Sequence, residues 1–338
     1  MHDERSHESR YSGGVLSTIV SSERGNLYGA IEAGGTKFIC AIGDSCGNLL
    51  TQVRIPTTEP ARTFAEVFEF FRASQAALGT LSGFGLAAFG PLELNRHSPR
   101  YGHTLQTPKA HWSNVDLRGA LAREFLLPVG FDTDVNAAGL AELRWGGFRA
   151  DTCLAYVTVG TGIGAAVIYK NAPLVGLTHA EIGHIHVRRH PADGEFPGIC
   201  HFHGDCLEGL ASGSALNARM GRSLEEIAVD AAIWEIEADY LGQLCSILVN
   251  SVAPHHILFG GGVMQQTRLF PAIRARMRHW LGGYCQREEV LSEDYVRAPV
   301  LGARAGVMGA LALAIDAEAS SVAAMLIPGV LTSIAASS

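Results

Sequence analysis

Apolar and polar positions begin to alternate at Leu27, and the pattern predicts short strands and helices from there to about residue 315. Tyr28–Glu32 and Thr36–Ile42 read as strands on either side of Gly34-Gly35. The polar turn at Asp44–Asn48 then leads into a third strand that ends near Ile55. Phe64, Val67, Phe68 and Phe71 recur at helical spacing, and Gly79 is the stop signal for that helix. Gly83–Phe89 is an apolar strand of the buried type, closed by Gly90-Pro91. A helix over Val115–Phe125 and a strand over Val129–Asp132 follow, and the chain then enters a helix of small residues.

The same grammar restarts downstream. Leu154–Val159 and Gly164–Tyr169 are strands around a second glycine turn, and Lys170-Asn171 makes a hairpin turn. Placing Gly34 on Gly160 also places the turn at Asp44 on the turn at Lys170, so a glycine-hinged hairpin unit recurs 126 residues on. That distance predicts two related α/β domains, because solenoid periods are about 20–50 residues. The competing reading is that any two glycine-bearing hairpins resemble each other. After Cys206 the pattern is mainly helical, with Ala231–Val252 the longest periodic segment. A short strand, Ile257–Phe259, runs into Gly260-Gly261-Gly262, and helices near Arg268–Trp280 and Ala303–Ile315 close the pattern. Residues 1–26 are polar and aperiodic and read as a disordered extension. The residues after Ala317 are small and Ser-rich and read as a frayed tail.

Composition narrows the class. With 17% charged residues and a net charge of −7, the chain is not a disordered segment, a coiled coil or a basic nucleic-acid scaffold. No uninterrupted apolar run of about 18 residues occurs, so no membrane partner is expected. Seven Cys, an odd number, fit a reducing cytosol with free or metal-bound thiols better than a disulfide framework. The 39 Gly of 338 residues exceed the usual level of about 7% and have no collagen-like period. They gather at strand ends, which is where their chemistry lies.

A glycine directly after a strand lets backbone N–H groups approach an anion closely. Glu32-Ala33-Gly34-Gly35-Thr36-Lys37 offers this together with a hydroxyl and an ammonium, and Gly160-Thr161-Gly162-Ile163-Gly164 offers it again. Neither is a Walker loop, and a strand rather than a helix follows the second. Taken singly each is an ordinary tight turn; at matching points of a repeat they point to phosphate binding from two sides. Gly260-Gly261-Gly262 after a strand suits a base or ribose, or equally the packing of a buried helix. At Asp132-Thr133-Asp134 a strand hands over to the small-residue helix. Asp134 is placed either as an N-cap or as a general base for an attacking hydroxyl, and the second is favoured, with Asp132 structural.

Six of the fourteen His fall between His179 and His203. His184, Cys200, His203 and Cys206 form H-x15-C-x2-H-x2-C, a donor set for four-coordinate structural zinc. A Cys200–Cys206 disulfide and scattered surface His are the alternatives, with His186, His190 and His201 as decoys. Glu181 and Glu208 flank the ligands as acceptors for sugar hydroxyls, or are simply exposed acids.

Glu32–Lys37, Thr133–Ala138, Glu181-Ile182-Gly183-His184 with its downstream ligands, and Leu258–Val263 together resemble the ROK family of the hexokinase–actin superfamily, across about Leu27–Ile315. Cys200-His201-Phe202-His203-Gly204-Asp205-Cys206-Leu207-Glu208, Glu32, Thr133, Arg188-Arg189-His190-Pro191 and Thr107-Pro108-Lys109 bring it closest to the bacterial zinc-containing ROK-type fructokinases. The resemblance implies an α/β, two-lobed hexokinase–actin-like (ribonuclease H-like) fold of duplicated domains with a central cleft. Residues 27–132 plus 303–317 would make the small lobe, 133–302 the larger lobe with its zinc loop, and 318–338 a tail. It implies transfer of the γ-phosphoryl of ATP, with Mg2+, to the 6-hydroxyl of D-fructose. Asp134 would be the base. Gly34, Gly35, Thr36 and Lys37 and Gly160, Thr161, Gly162 and Gly164 would hold phosphate, with Gly260, Gly261 and Gly262 on the nucleotide side. Thr133, Glu181, His184 and Glu208 would meet the sugar, and a structural Zn2+ would sit on His184, Cys200, His203 and Cys206. A cytoplasmic homodimer is implied. Other hexoses such as glucose or mannose are the rival substrates. A sugar-sensing ROK regulator is disfavoured, since only 26 aperiodic residues precede the first turn and the charge is negative.

Overall fold

The computed structural model describes residues 25–107, 109–228 and 231–326. The expected extension (apart from residues 25 and 26), the last part of the tail and Pro108 lie outside the described residues. β1 (Leu27–Ala33) and β2 (Lys37–Asp44) form an antiparallel hairpin in which Ala33 faces Phe38 across the first glycine turn. β3 (Leu49–Pro56) continues it. α1 (Pro60–Leu78) starts on a proline, whose missing N–H is harmless in a first helical turn, and stops at Gly79 with φ 115°. β4 (Leu81–Ala88) returns parallel to β1. After α2 (Leu117–Phe125), β5 (Val129–Thr133) lies parallel to β4, which gives the order β3-β2-β1-β4-β5. α3 (Asp134–Trp145) leaves this sheet.

The second half repeats the first. β6 (Leu154–Val159), β7 (Ile163–Tyr169) and β8 (Ala172–Pro173) are again antiparallel neighbours. Lys170 and Asn171 turn between them at φ 51° and 59°. α4 (Leu207–Ala211), α5 (Gly213–Met220) and α6 (Ile233–Ser251) precede β9 (His256–Gly260), which is parallel to β6. α7 (Leu269–Leu281) and α8 (Glu288–Leu291) precede β10 (Val296–Arg297), parallel to β9, and α9 (Ala305–Leu326) follows. The order β8-β7-β6-β9-β10 reproduces the first sheet strand for strand, with each parallel and antiparallel pair in the same place. The hairpin repeat seen in the glycines therefore extends to a whole sheet.

The closing helix of each half crosses to the other. α3 packs on β6 and β7, and α9 lies on β1, β4 and β5. The approach on the second side is close: a Cβ at Gly85 would stand 1.8 Å from Ala310 O. α3 and α9 meet each other, with Gly309 against the backbone of Ala137. One apolar cluster fills the first half behind Phe38, Phe71 and Trp112, another lies under Tyr240 and Phe259 in the second, and a third, rich in alanine, joins the two crossing helices. α9 is apolar and long enough to cross a membrane by composition alone, but its apolar side is spent on the first sheet.

One expectation and one of the two alternatives for Asp134 are corrected. Residues 318–326 are not frayed: α9 runs on to Leu326. Its Ala, Leu and Met favour helix, and Glu318 accepts from Tyr28 Oη (2.5 Å) and Asn26 Nδ2 (2.8 Å), which ties the last turns to β1. The N-cap of α3 is Thr133, whose Oγ1 accepts from Asn136 N at 3.1 Å, and Asp134 is the first helical residue. Both residue types cap well, so the one-residue ambiguity is settled only by which oxygen reaches the N–H.

Candidate active site

The two glycine turns close in related ways. Gly34 N donates to Lys37 O (3.0 Å), and Gly160 N donates to Gly162 O (2.9 Å). Thr57 Oγ1 donates to Gly34 O from behind the first turn, and Gly213 N donates to Gly160 O behind the second. Within each cluster the glycines divide by need. Gly35, Gly160 and Gly262 have nothing within 4 Å of a built Cβ, so their faces are open. Gly261 has φ 94° and would press a Cβ to 2.3 Å from Val159 O, so it seats the third cluster directly on the second turn. A Cβ on Gly164 would touch Val135 on α3.

Asp134 lies at this junction, partly buried at the start of α3. Its Oδ1 accepts from Val135 N at 2.8 Å. Burial lifts its carboxyl to about 6, against which Val135 N and His179 pull down. Glu32, near the end of β1, is lifted to about 7, first by burial and then by the Asp134 charge, with Lys37 opposing. Its Oε2 is buried without a hydrogen-bond partner, and Gly306 lies against the carboxylate. A buried carboxyl with one orphan oxygen, within electrostatic reach of a second carboxyl and of Lys37, is a donor set suited to a hard divalent cation. Asp132 is buried and held through one oxygen: its Oδ1 accepts from Thr133 N and Asn136 Nδ2, both at 2.7 Å. Thr133 is also buried and committed to its cap, which leaves only the hydroxyl hydrogen for another acceptor.

The His–Cys set assembles as spaced. One ligand atom from each of His184, Cys200, His203 and Cys206 lies within 4.8 Å of every other. His184 Nδ1 stands 3.6 Å from Cys200 Sγ and 3.5 Å from Cys206 Sγ, and His203 Nδ1 stands 3.7 Å from Cys200 Sγ. Donors about 2.0 and 2.3 Å from a tetrahedral zinc stand about 3.5 Å apart, so the cage fits that ion. Both cysteines are free thiols. His190 caps a short turn through Ala192 N, and His186 and His201 are not among the four residues whose ligand atoms gather within 4.8 Å.

Glu208, at the start of α4, faces His184 Nε2 at 4.0 Å, and its Oε2 accepts from Ile163 N at 2.9 Å. It thus couples the cage to the second turn, with its other oxygen left for a ligand. Glu181 is half exposed and accepts from His179 Nε2 at 2.7 Å, which holds its carboxyl below the ordinary range. His179 escaped the sequence reading, because nothing in its spacing separates it from the other histidines of that stretch.

A model of the ROK family matches residues 28–317. The chain belongs to the ROK family. This ROK protein is 41% identical over 301 residues to a putative fructokinase of Bacillus subtilis, covering 87% of this chain and 98% of that one. To a fructokinase of Zymomonas mobilis it is 42% identical over 295 residues, covering 86% and 97%. The crystal structure of a ROK family glucokinase from Streptomyces griseus in complex with glucose and AMPPNP superposes with a TM-score of 0.64 at 24% identity, covering 86% of this chain and all of that one. The ROK fold here is the two-lobed, actin-like α/β fold.

Proposed function

We propose that this ROK protein is an ATP-dependent fructokinase that transfers the γ-phosphoryl group to the 6-hydroxyl of D-fructose. The observation that supports the phosphoryl-transfer part is the pair of open glycine turns on equivalent hairpins, with the Asp134 carboxyl at the head of the helix that packs on the second hairpin. The identity of about two residues in five with fructokinases over nearly their full length supports the sugar.

The lobes of this reading are 27–132 plus 303–317 and 133–302, with the substrates between them. Open backbone faces at Gly35, Gly160 and Gly262, with Gly34, Thr36, Lys37, Thr161, Gly162 and Gly164 around them, receive the phosphates, and Gly260 and Gly261 lie on the nucleoside side. Glu181, Glu208, His184 Nε2 and the Thr133 hydroxyl stand on the sugar side. Asp134 takes the proton of the 6-hydroxyl as that oxygen forms its bond to the γ-phosphorus. The bond to the β-bridging oxygen breaks, ADP leaves with the electron pair, and the proton passes from Asp134 to solvent. A base with its carboxyl near 6 is ionised at neutral pH yet still basic enough to work. Glu32 would hold Mg2+, which neutralises charge on the phosphoryl oxygens. His184, Cys200, His203 and Cys206 would hold Zn2+. Four protein donors leave it no open position, so its part is to fix Glu208 and the loop that carries Glu181. The family resemblance supports a cytoplasmic homodimer.

The test is ADP release from purified protein across fructose, glucose, mannose and N-acetylhexosamines. Fructose should give the highest kcat/KM. A higher value for another hexose, or no sugar-dependent ADP, overturns the assignment.

A further inference from the structure

One buried ionisable side chain has no part in the chemistry above. His179 is 8% exposed, in the loop between β8 and the Glu181–His184 turn of the second half. Its Nε2 stands 2.7 Å from Glu181 Oε1 and its Nδ1 stands 3.3 Å from Thr178 Oγ1. An ionised carboxylate only accepts, so the proton is on Nε2 and the ring donates to Glu181. A Cβ built on Gly90, in the first half, would lie 3.9 Å from the same Nε2. The ring also reaches the Asp132 and Asp134 carboxyls electrostatically. His179 is therefore a side chain from one half seated against the other, under the exposed acid of the sugar side.

We propose that His179 is a positioning residue for sugar recognition: its Nε2–H clamps one oxygen of Glu181, so that the other is presented at a fixed angle to a sugar hydroxyl. This rests on the sugar-kinase reading, and it deepens that reading by naming what orients the acceptor. A half-exposed glutamate has several rotamers, and the hydrogen bond selects one before the substrate arrives. The ordering cost that the sugar would otherwise meet on binding is removed in advance. Because the ring touches the sugar side only through Glu181, its main effect falls on sugar binding, and its longer-range pull on the Asp134 carboxyl is the smaller one.

His179→Ala should raise KM for the sugar by about tenfold to a hundredfold, the worth of a hydrogen bond to a charged group, with kcat changed less than about threefold and KM for ATP unchanged. His179→Gln, which reaches Glu181 with an N–H, should restore KM to within about threefold, whereas His179→Asn, which is too short, should not. In a Glu181→Ala background, His179→Ala should add almost nothing, since residues acting as a unit are not additive. Zinc content and melting temperature of each variant report folding. If His179→Ala does not fold, the contrast between Gln and Asn decides. An equal fall in kcat at constant KM, a parallel rise in KM for ATP, additivity with Glu181→Ala, or equal behaviour of Gln and Asn overturns the proposal. The sugar used is whichever the wild type phosphorylates fastest. Failure of the fructose assignment is thus read in the wild type, and failure of the His179 proposal in the variants.

Discussion

Asp134→Asn removes a charge while keeping the shape, and its consequences should run in opposite directions. The amide oxygen still accepts from Val135 N, so the start of α3 is preserved. Loss of the general base should lower kcat by about 10²–10⁴, or roughly 3–5 kcal/mol. Stability should rise. In the folded protein the carboxyl moves from 3.8 to about 6, chiefly through burial, which corresponds to about 3 kcal/mol against the ionised form as an upper bound. Between about pH 4 and pH 6 the folded chain keeps a proton that the unfolded chain has released, so stability falls as pH rises through that window, and the whole penalty stands above it. Glu32 adds in the same direction, because part of its elevation comes from Asp134. The variant should therefore melt a few degrees above the wild type at pH 8, about 5 °C at most, with the gain shrinking towards pH 4. The assay is differential scanning calorimetry in EDTA without nucleotide, paired with coupled ADP release. A melting temperature at pH 8 equal to or below the wild type refutes the electrostatic account, and retained turnover refutes the base.

Native protein should carry about one zinc per chain by elemental analysis, and Cys206→Ser should lose it. The far-UV signal should survive, because the second half has its own apolar core, while the melting temperature falls; a metal-free wild type would refute the cage. Gly261→Ala forces a Cβ into a conformation at φ 94° and against Val159 O, so it should destabilise by about 1–3 kcal/mol or more in urea titration. It should also raise KM for ATP about tenfold while KM for sugar stays put; the reverse split would place the third glycine cluster away from the nucleotide.

What the sequence carried plainly was what it encodes within about two dozen residues. The hairpins at Gly34 and Gly160, the stop at Gly79, and the spacing of His184, Cys200, His203 and Cys206 are local, and the structure forms each. What it did not carry is who faces whom across long separations. Glu208 meets Ile163 N at a separation of 45 residues, Glu32 on β1 feels the charge of Asp134 on α3, and His179 sits against a loop of the other half. Such pairs follow from the way the sheets and the helices packed on them bring distant segments together, which no local pattern encodes. Glycine shows the limit most sharply. In the sequence, Gly160 and Gly261 are the same signal, a glycine after a strand. In the structure Gly160 has open space where a Cβ would go, and Gly261 has a carbonyl 2.3 Å away. A side chain at Gly160 would fold and shadow only the ligand's approach, whereas one at Gly261 must move the backbone that shapes the turn. The glycine excess therefore answers two separate demands, closeness to a phosphate and closeness to the chain itself. Alanine substitutions at these two positions should part into loss of binding alone and loss of binding with stability.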